Sequence, residues 1–253
     1  NKLNYLMLLL LLVVVQSVSA VQKTTADEAV QAALAAPRDK VPQALQVLLN
    51  LANGPSGRDD ILAAGGLEVA LTFLDDARAP RGGTERAATL LGILLEDTQD
   101  TADVCMEPKM LQSCDEVVCA RAAAAGVVPK LVELLPSSSG PVFHALALMV
   151  SHSQDCRTEA SAALPELLKI LYNKVRGIAV ISGVSAAEPL AAWAAADEAG
   201  ADLIASTGAA LSLVRLTKSL RGDINMILVA IDALEAGSAA GAAAVRHAKG
   251  KKK

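Results

Sequence analysis

Aromatic side chains are nearly missing from this chain: one Trp, two Tyr and two Phe make up 2% of it. Sheets of a sandwich or barrel draw on aromatic and β-branched residues. Here the 53% hydrophobic content is mostly Ala, Leu and Val, which suit close helix packing, and the reading is all-α. An excess of positive charge is missing too. A formal net charge of −4 and a pI near 5.4 give no field for a phosphate backbone, so nucleic acid is not an expected partner.

Catalytic signatures are equally scarce. Neither G-x-x-x-x-G-K nor G-x-G-x-x-G occurs, so no glycine loop cradles a phosphate, and no G-x-S-x-G elbow presents a serine. Only three histidines exist, His144, His152 and His247. His152 and Cys156 stand one helical turn apart, but with Cys114 and Cys119 they match no zinc spacing, and disulfides would use the same sulfurs. The pairs Asp59-Asp60 and Asp75-Asp76 fall at helix ends, where capping explains them. The expectation is therefore no enzyme, no catalytic residue, no cofactor and no metal.

What the chain does contain begins with an address. Lys2 precedes an unbroken apolar run from Leu6 to Val15, and Val18-Ser19-Ala20 supplies small residues at a cleavage site. The run is short of the roughly 20 residues that span a bilayer. Residues 1–20 read as a secretory signal, placing the protein in the ER lumen or outside the cell, with membrane contact only through that segment. No KDEL-like tetrapeptide ends the chain, which leaves residence and secretion both open. Four cysteines, Cys105, Cys114, Cys119 and Cys156, then suit two disulfides, for which three pairings exist. The favoured pairing closes an acidic insertion at 97–113 with Cys105–Cys114 and ties neighbouring helices with Cys119–Cys156; free buried thiols are the alternative.

The rest is a stack of helices. Residues 21–40 read as an N-terminal helical cap that starts near Thr25, and 41–236 as a solenoid. The segments after successive breaks, beginning at Gly66, Gly126, Ala162 and Gly208, superpose so that Leu71, Leu131, Leu167 and Leu213 coincide, as do Leu74, Leu134, Ile170 and Leu216. Further helices follow at 84–96, 141–152, irregularly within 174–197, and at 224–236. The spacing of the later breaks brackets a period of roughly 40–47 residues, that of armadillo and HEAT units. Residues 237–253, with Gly237, Gly241 and a run of alanines before Lys251, Lys252 and Lys253, read as a frayed basic tail.

The stretch ALQVLLNLA (44–52) resembles the third helix of an armadillo repeat, and the IxxAGGLxxxLxxL segment after it fits the next two helices. The resemblance implies a right-handed armadillo/HEAT-like α-solenoid of about four to five repeats. Asn50 falls on the asparagine position with which relatives grip an extended peptide, while Ile93 and Ser151 occupy the equivalent positions downstream and Gln46 stands where a tryptophan is usual. Arg86-Ala87-Ala88-Thr89-Leu90-Leu91-Gly92 is similar to the R-x-A-A-x-x-I-G helix of armadillo-type nucleotide-exchange factors of heat-shock ATPase chaperones, whose ER member serves BiP. That likeness spans roughly residues 40–172 and implies a concave groove, lined by third helices, that clasps the chaperone's nucleotide domain and opens the ADP cleft; the protein itself is expected to be a monomer. The alternative is a secreted or surface-held recognition protein with another protein ligand. On either reading the partner groove is expected on third-helix positions Asn50, Glu85, Thr89, His144 and Ser151.

Overall fold

Glycine turns and one-residue hinges cut the chain into helices. The structure, a computed structural model, describes residues 25–54, 56–75, 81–97, 114–137, 140–175, 185–219 and 224–250. These are almost wholly helical, with no strand beyond one isolated antiparallel bridge between Glu96 and Cys114. The expected leader at 1–20, Cys105 and residues 98–113 of the insertion lie outside the described residues.

The chain forms two compact units, one ending at Leu94 and the other beginning at Leu95. In the first, α1 (25–34) buries Ala26, Val30 and Ala33, one stripe at helical spacing. It is followed by α2 (Val41–Ala52), α3 (Gly57–Ala63), α4 (Gly66–Asp75) and α5 (Arg81–Leu95). The second unit holds α6 (Glu116–Ala124), α7 (Val127–Leu134), α8 (Gly140–His152), α9 (Gln154–Ala160), α10 (Leu164–Val175) and α11 (Ala187–Ala196). It ends with α12 (Glu198–Ser206), α13 (Ala209–Ser219), α14 (Asn225–Gly237) and α15 (Ala239–Gly250). Helices α3–α5, α6–α8, α9–α11 and α12–α14 are thus successive three-helix repeats. The third helix α8 is buried on more than one side, as the consecutive run Ala145, Leu146, Ala147, Leu148 and Met149 shows. Burying each leucine or methionine of this run contributes roughly 1.5–3 kcal/mol.

Within a repeat, the first two helices are joined through a left-handed glycine: Gly65 at φ 94°, Gly126 at φ 72° and Gly208 at φ 79°. Only glycine adopts that backbone without strain. In the third repeat a 3-10 turn, Ser161–Ala163, makes the same connection. The positions of these glycines correct the expected leucine register in the first repeat. Of the pair Gly65-Gly66, the first takes the left-handed turn. Gly66 already belongs to α4, where a Cβ would stand 2.1 Å from Ile61 Cγ2. Ala70 and Phe73, not Leu71 and Leu74, therefore match Leu131 with Leu134 and Leu213 with Leu216.

Between repeats of the second unit the link is a single extended residue. Ser153, Asp197 and Ser238 each separate a third helix from the next first helix, and each caps it: they accept from the backbone N–H of Cys156 at 3.2 Å, Gly200 at 2.7 Å and Gly241 at 2.9 Å. Their intervals fall within the roughly 40–47-residue armadillo period. The capped helix starts hard against the helix before it, since a Cβ on Gly200 would stand 2.3 Å from the Trp193 carbonyl oxygen and one on Gly241 2.1 Å from that of Leu234.

The helix expected within 174–197 is α11, whose Trp193 is 1% exposed; residues 176–184 lie outside the described residues. One further expectation is corrected by this packing. Of the tail read as frayed from residue 237, Ala239–Gly250 form helix α15, with Gly241, Val245 and Ala248 buried and Lys249 paired to Glu235 at 2.7 Å, while Lys251, Lys252 and Lys253 lie outside the described residues. Small residues bury little area each, but they bring helices close enough to recover the loss in contact.

Candidate functional site

Within each unit the third helices of successive repeats lie side by side with a groove between them. In the first unit an open groove of about 410 Å³ between α2 and α5 is lined by Gln46, Leu49, Asn53, Glu85, Arg86, Thr89 and Ile93. Helical spacing sets Gln46, Leu49 and Asn53 on one stripe and Glu85, Thr89 and Ile93 on the facing one. The polar side chains are linked in a row: Arg86 Nε donates to Gln46 Oε1 at 3.1 Å, and Gln46 Nε2 donates to Asn50 Oδ1 at 3.0 Å. Asn50 is exposed at the end of that row, and Thr89 Oγ1 donates to the Glu85 carbonyl at 2.9 Å. Three of the expected groove residues, Asn50, Glu85 and Thr89, are thus brought to one surface.

In the second unit, α8 and α11 enclose about 220 Å³ lined by His144, Ala147, Leu148, Ser151, Glu188, Ala192, Ala195 and Ala196. His144 and Ser151 both reach it, two turns apart on α8. Ser151 Oγ donates to the Leu148 carbonyl at 2.8 Å. His144 is partly buried and both of its ring nitrogens have partners. Its Nδ1 lies 2.6 Å from Glu188 Oε1 and its Nε2 2.9 Å from Glu96 Oε1, and the imidazole is 27% exposed. Burial disfavours the charged ring, but hydrogen bonds to Glu188 and Glu96 and their Coulombic attraction outweigh it, raising the pKa from 6.5 to about 9. At neutral pH the imidazolium donates to both carboxylates. Glu96 and Glu188 escape a local reading of the sequence because they stand 48 and 44 residues from His144. The signal that finds them is repeat periodicity: they lie about one repeat before it and one after.

The cysteines pair differently from the favoured expectation. Cys114 is bonded to Cys119, with Cα atoms 6.5 Å apart, and Cys156 is a free buried thiol. Asp115 lies between the bonded pair as the N-cap of α6, accepting from Val118 N–H at 3.1 Å, and this tight first turn presents the two sulfurs to each other. Cys156 sits under the Ser153 cap, where burial pushes its thiol pKa up. Among the described residues no group of three or more His, Cys, Asp or Glu could hold a metal ion, and no single helix is long and apolar enough to cross a membrane.

The chain matches no protein-family profile and no curated protein sequence. Solved structures do match its fold. A designed armadillo repeat protein is 19% identical with a TM-score of 0.69, over 88% of this chain and 87% of that one. Another designed armadillo repeat protein, solved in complex with a (KR)4 peptide, is 19% identical with a TM-score of 0.68 over the same shares. A chain from a study of the interaction between cadherin and β-catenin is 17% identical with a TM-score of 0.63, over 85% of this chain and 37% of that one. The structural neighbours are armadillo repeat proteins, and the fold is the all-α armadillo-like solenoid.

Proposed function

We propose that this chain is a binding protein rather than an enzyme, and that it holds an extended segment of a protein partner along its third helices. The observation that carries this reading is the pair of cavities, one in each unit, each between third helices of successive repeats and each edged by polar side chains. An extended segment has backbone groups that need partners, and the Arg86–Gln46–Asn50 row offers amide donors and acceptors for them. One structural neighbour holds a peptide, which supports the same use of the fold. The test is selection from a random linear-peptide phage library. Convergent binders whose affinity drops at least about tenfold on T89W and S151W, some 1.4 kcal/mol, are the expected result; no convergence, or indifference to both substitutions, contradicts it.

A finer reading places the protein in the secretory pathway as an exchange factor for the ER heat-shock ATPase BiP. The apolar run from Leu6 to Val15 supports the compartment, and a disulfide suits an oxidising lumen. The likeness of residues 86–92 to the exchange-factor helix supports the activity, with Arg86 at the wall of the first cavity. Such a factor works only by differential binding, preferring the open nucleotide cleft over the closed one. Faster release of labelled ADP from BiP at saturating protein is expected; an unchanged rate removes this reading and leaves that of a secreted or surface-held recognition protein.

A further inference from the structure

The second unit begins at Leu95, and there the chain is pinned to the start of α6. Glu96 and Cys114 form the isolated antiparallel bridge, and beside it Asp115 N–H donates to the Leu95 carbonyl at 2.8 Å. Cys119 Sγ lies 3.8 Å from that same carbonyl, and the disulfide from Cys114 to Cys119 ties the bridge to the first turn of α6. Glu96 is also a member of the His144 cluster. Its Oε1 meets His144 Nε2, while Nδ1 of the same ring meets Glu188 Oε1. His144 and Glu188 line the groove between α8 and α11. One residue therefore joins the disulfide, through its backbone, to the groove, through its carboxylate.

The backbone half of that connection is weak by itself. No ladder continues the bridge on either side among the described residues, and a lone hydrogen bond gains little over the one water offers. Pairing of this kind lasts only where something else brings the two chain segments together. The disulfide does so, because it fastens Cys114 to a helix that is itself anchored by its Asp115 cap and by the buried Cys119 and Ala122. The carboxylate half is the stronger one, since both groups carry charge and water is partly excluded from them. Glu96 and Glu188 are the charged groups that act on the ring. Losing one of them changes the charge of the imidazole and its freedom to turn.

From this geometry we propose that the Cys114–Cys119 disulfide is a redox switch for one end of the groove between α8 and α11, with Glu96 carrying the signal to His144. Closed, the disulfide holds Glu96 where it clamps the ring. Opening it takes two electrons and two protons from an external dithiol, which closes to its own disulfide as the Cys114–Cys119 bond breaks and two thiols form. Cys114 is then free of α6, the bridge comes apart and Glu96 leaves the ring, so His144 keeps Glu188 alone. The inference holds whatever the groove binds, and its failure is separable from that of the peptide-binding reading.

The test reads the ring itself in the full chain. NMR follows the His144 titration, assigned by its loss in His144→Gln, before and after dithiothreitol and in the Cys114→Ser/Cys119→Ser double variant. The oxidised chain should titrate with a midpoint near 9, and opening the disulfide by either route should lower it by at least about one unit, a tenfold change in proton affinity. In Glu96→Gln, which keeps an acceptor but not the charge, the midpoint should start low and reduction should move it no further. An unchanged midpoint in the reduced chain would overturn the proposal, because no link then exists. An equal fall on reduction of Glu96→Gln would overturn it too, because the link would bypass Glu96. Coupling between two sites is reciprocal, so a second measurement decides the matter if reduction unfolds the chain: the ratio of thiol to disulfide in a glutathione buffer, counted by mass after alkylation. Glu96→Gln should shift that ratio at least about fivefold toward thiols, while Ser238→Ala, which loosens the same unit elsewhere, should leave it in place. No shift in Glu96→Gln, or equal shifts in both variants, would refute the switch.

Discussion

His144 shows how much one side chain depends on neighbours far away in sequence. Its carboxylate partners bring the imidazole to a pKa of about 9 from 6.5. A raised pKa makes the tie fully stabilising below pH 6.5, progressively weaker as pH rises, and lost above 9. The shift is worth on the order of 2–3 kcal/mol at most, since water reaches part of the cluster. An NMR titration of the ring should therefore show a midpoint near 9, and H144Q should flatten the decline of Tm between neutral and alkaline pH; a midpoint near 6.5 would mean the clamp is not formed. Helical periodicity alone brings Asn50, Glu85 and Thr89 to one surface of the first unit and Ser151 to the groove of the second, so their placement was legible. Glu96 and Glu188 were not, because their meeting with His144 requires repeats to be stacked and not merely recognised. The cysteines teach the same lesson at shorter range. The pairing of Cys114 with Cys119 depends on Asp115 starting a helix between them, and Cys156 is withdrawn beneath a cap. A non-reducing peptide map should join Cys114 to Cys119 and leave Cys156 unalkylated until the protein is unfolded; a Cys119–Cys156 cross-link would contradict the structure.

At the scale of the element, the fold relies on a repeated hinge that a search for leucines passes over. Ser153, Asp197 and Ser238 each end one repeat and cap the next. Arginines tie third helices down as well: the buried Arg58 donates from Nη2 to the Leu94 carbonyl at 3.0 Å, and the partly buried Arg157 donates to the Val150 carbonyl at 3.0 Å and to Asp197 Oδ2 at 2.7 Å. Replacing Ser153 or Ser238 by Ala should cost about 1 kcal/mol each, and Asp197→Ala more, because it removes the cap and the arginine's partner together. Gly241→Ala should exceed all three, since its Cβ would meet the Leu234 carbonyl at 2.1 Å. Denaturant midpoints check this order. Equal, negligible effects would show that the hinges do not hold the repeats in place. Most helices before α15 were readable from periodicity, whereas the first repeat's register was not. Two adjacent glycines offer the left-handed turn equally in sequence, and only the packing of Gly66 against Ile61 chooses between them.

Within each compact unit the chain is a run of similar repeats, each burying its apolar face by stacking on the next. Its repeat nature was legible because the same leucines return at intervals. The order of its C-terminal part was not, because alanine and glycine signal weakness by composition and strength only through close approach. The charged and polar residues that the stacking leaves along the third helices are the proposed reason for the protein's existence. Hydrogen–deuterium exchange of the full chain, with and without the peptide selected for binding, tests that claim most directly. The account predicts added protection on α2, α5, α8 and α11, around Gln46, Thr89, His144 and Ala195. Protection confined to the first helices α3, α9 and α12, or none at saturating peptide, would contradict it.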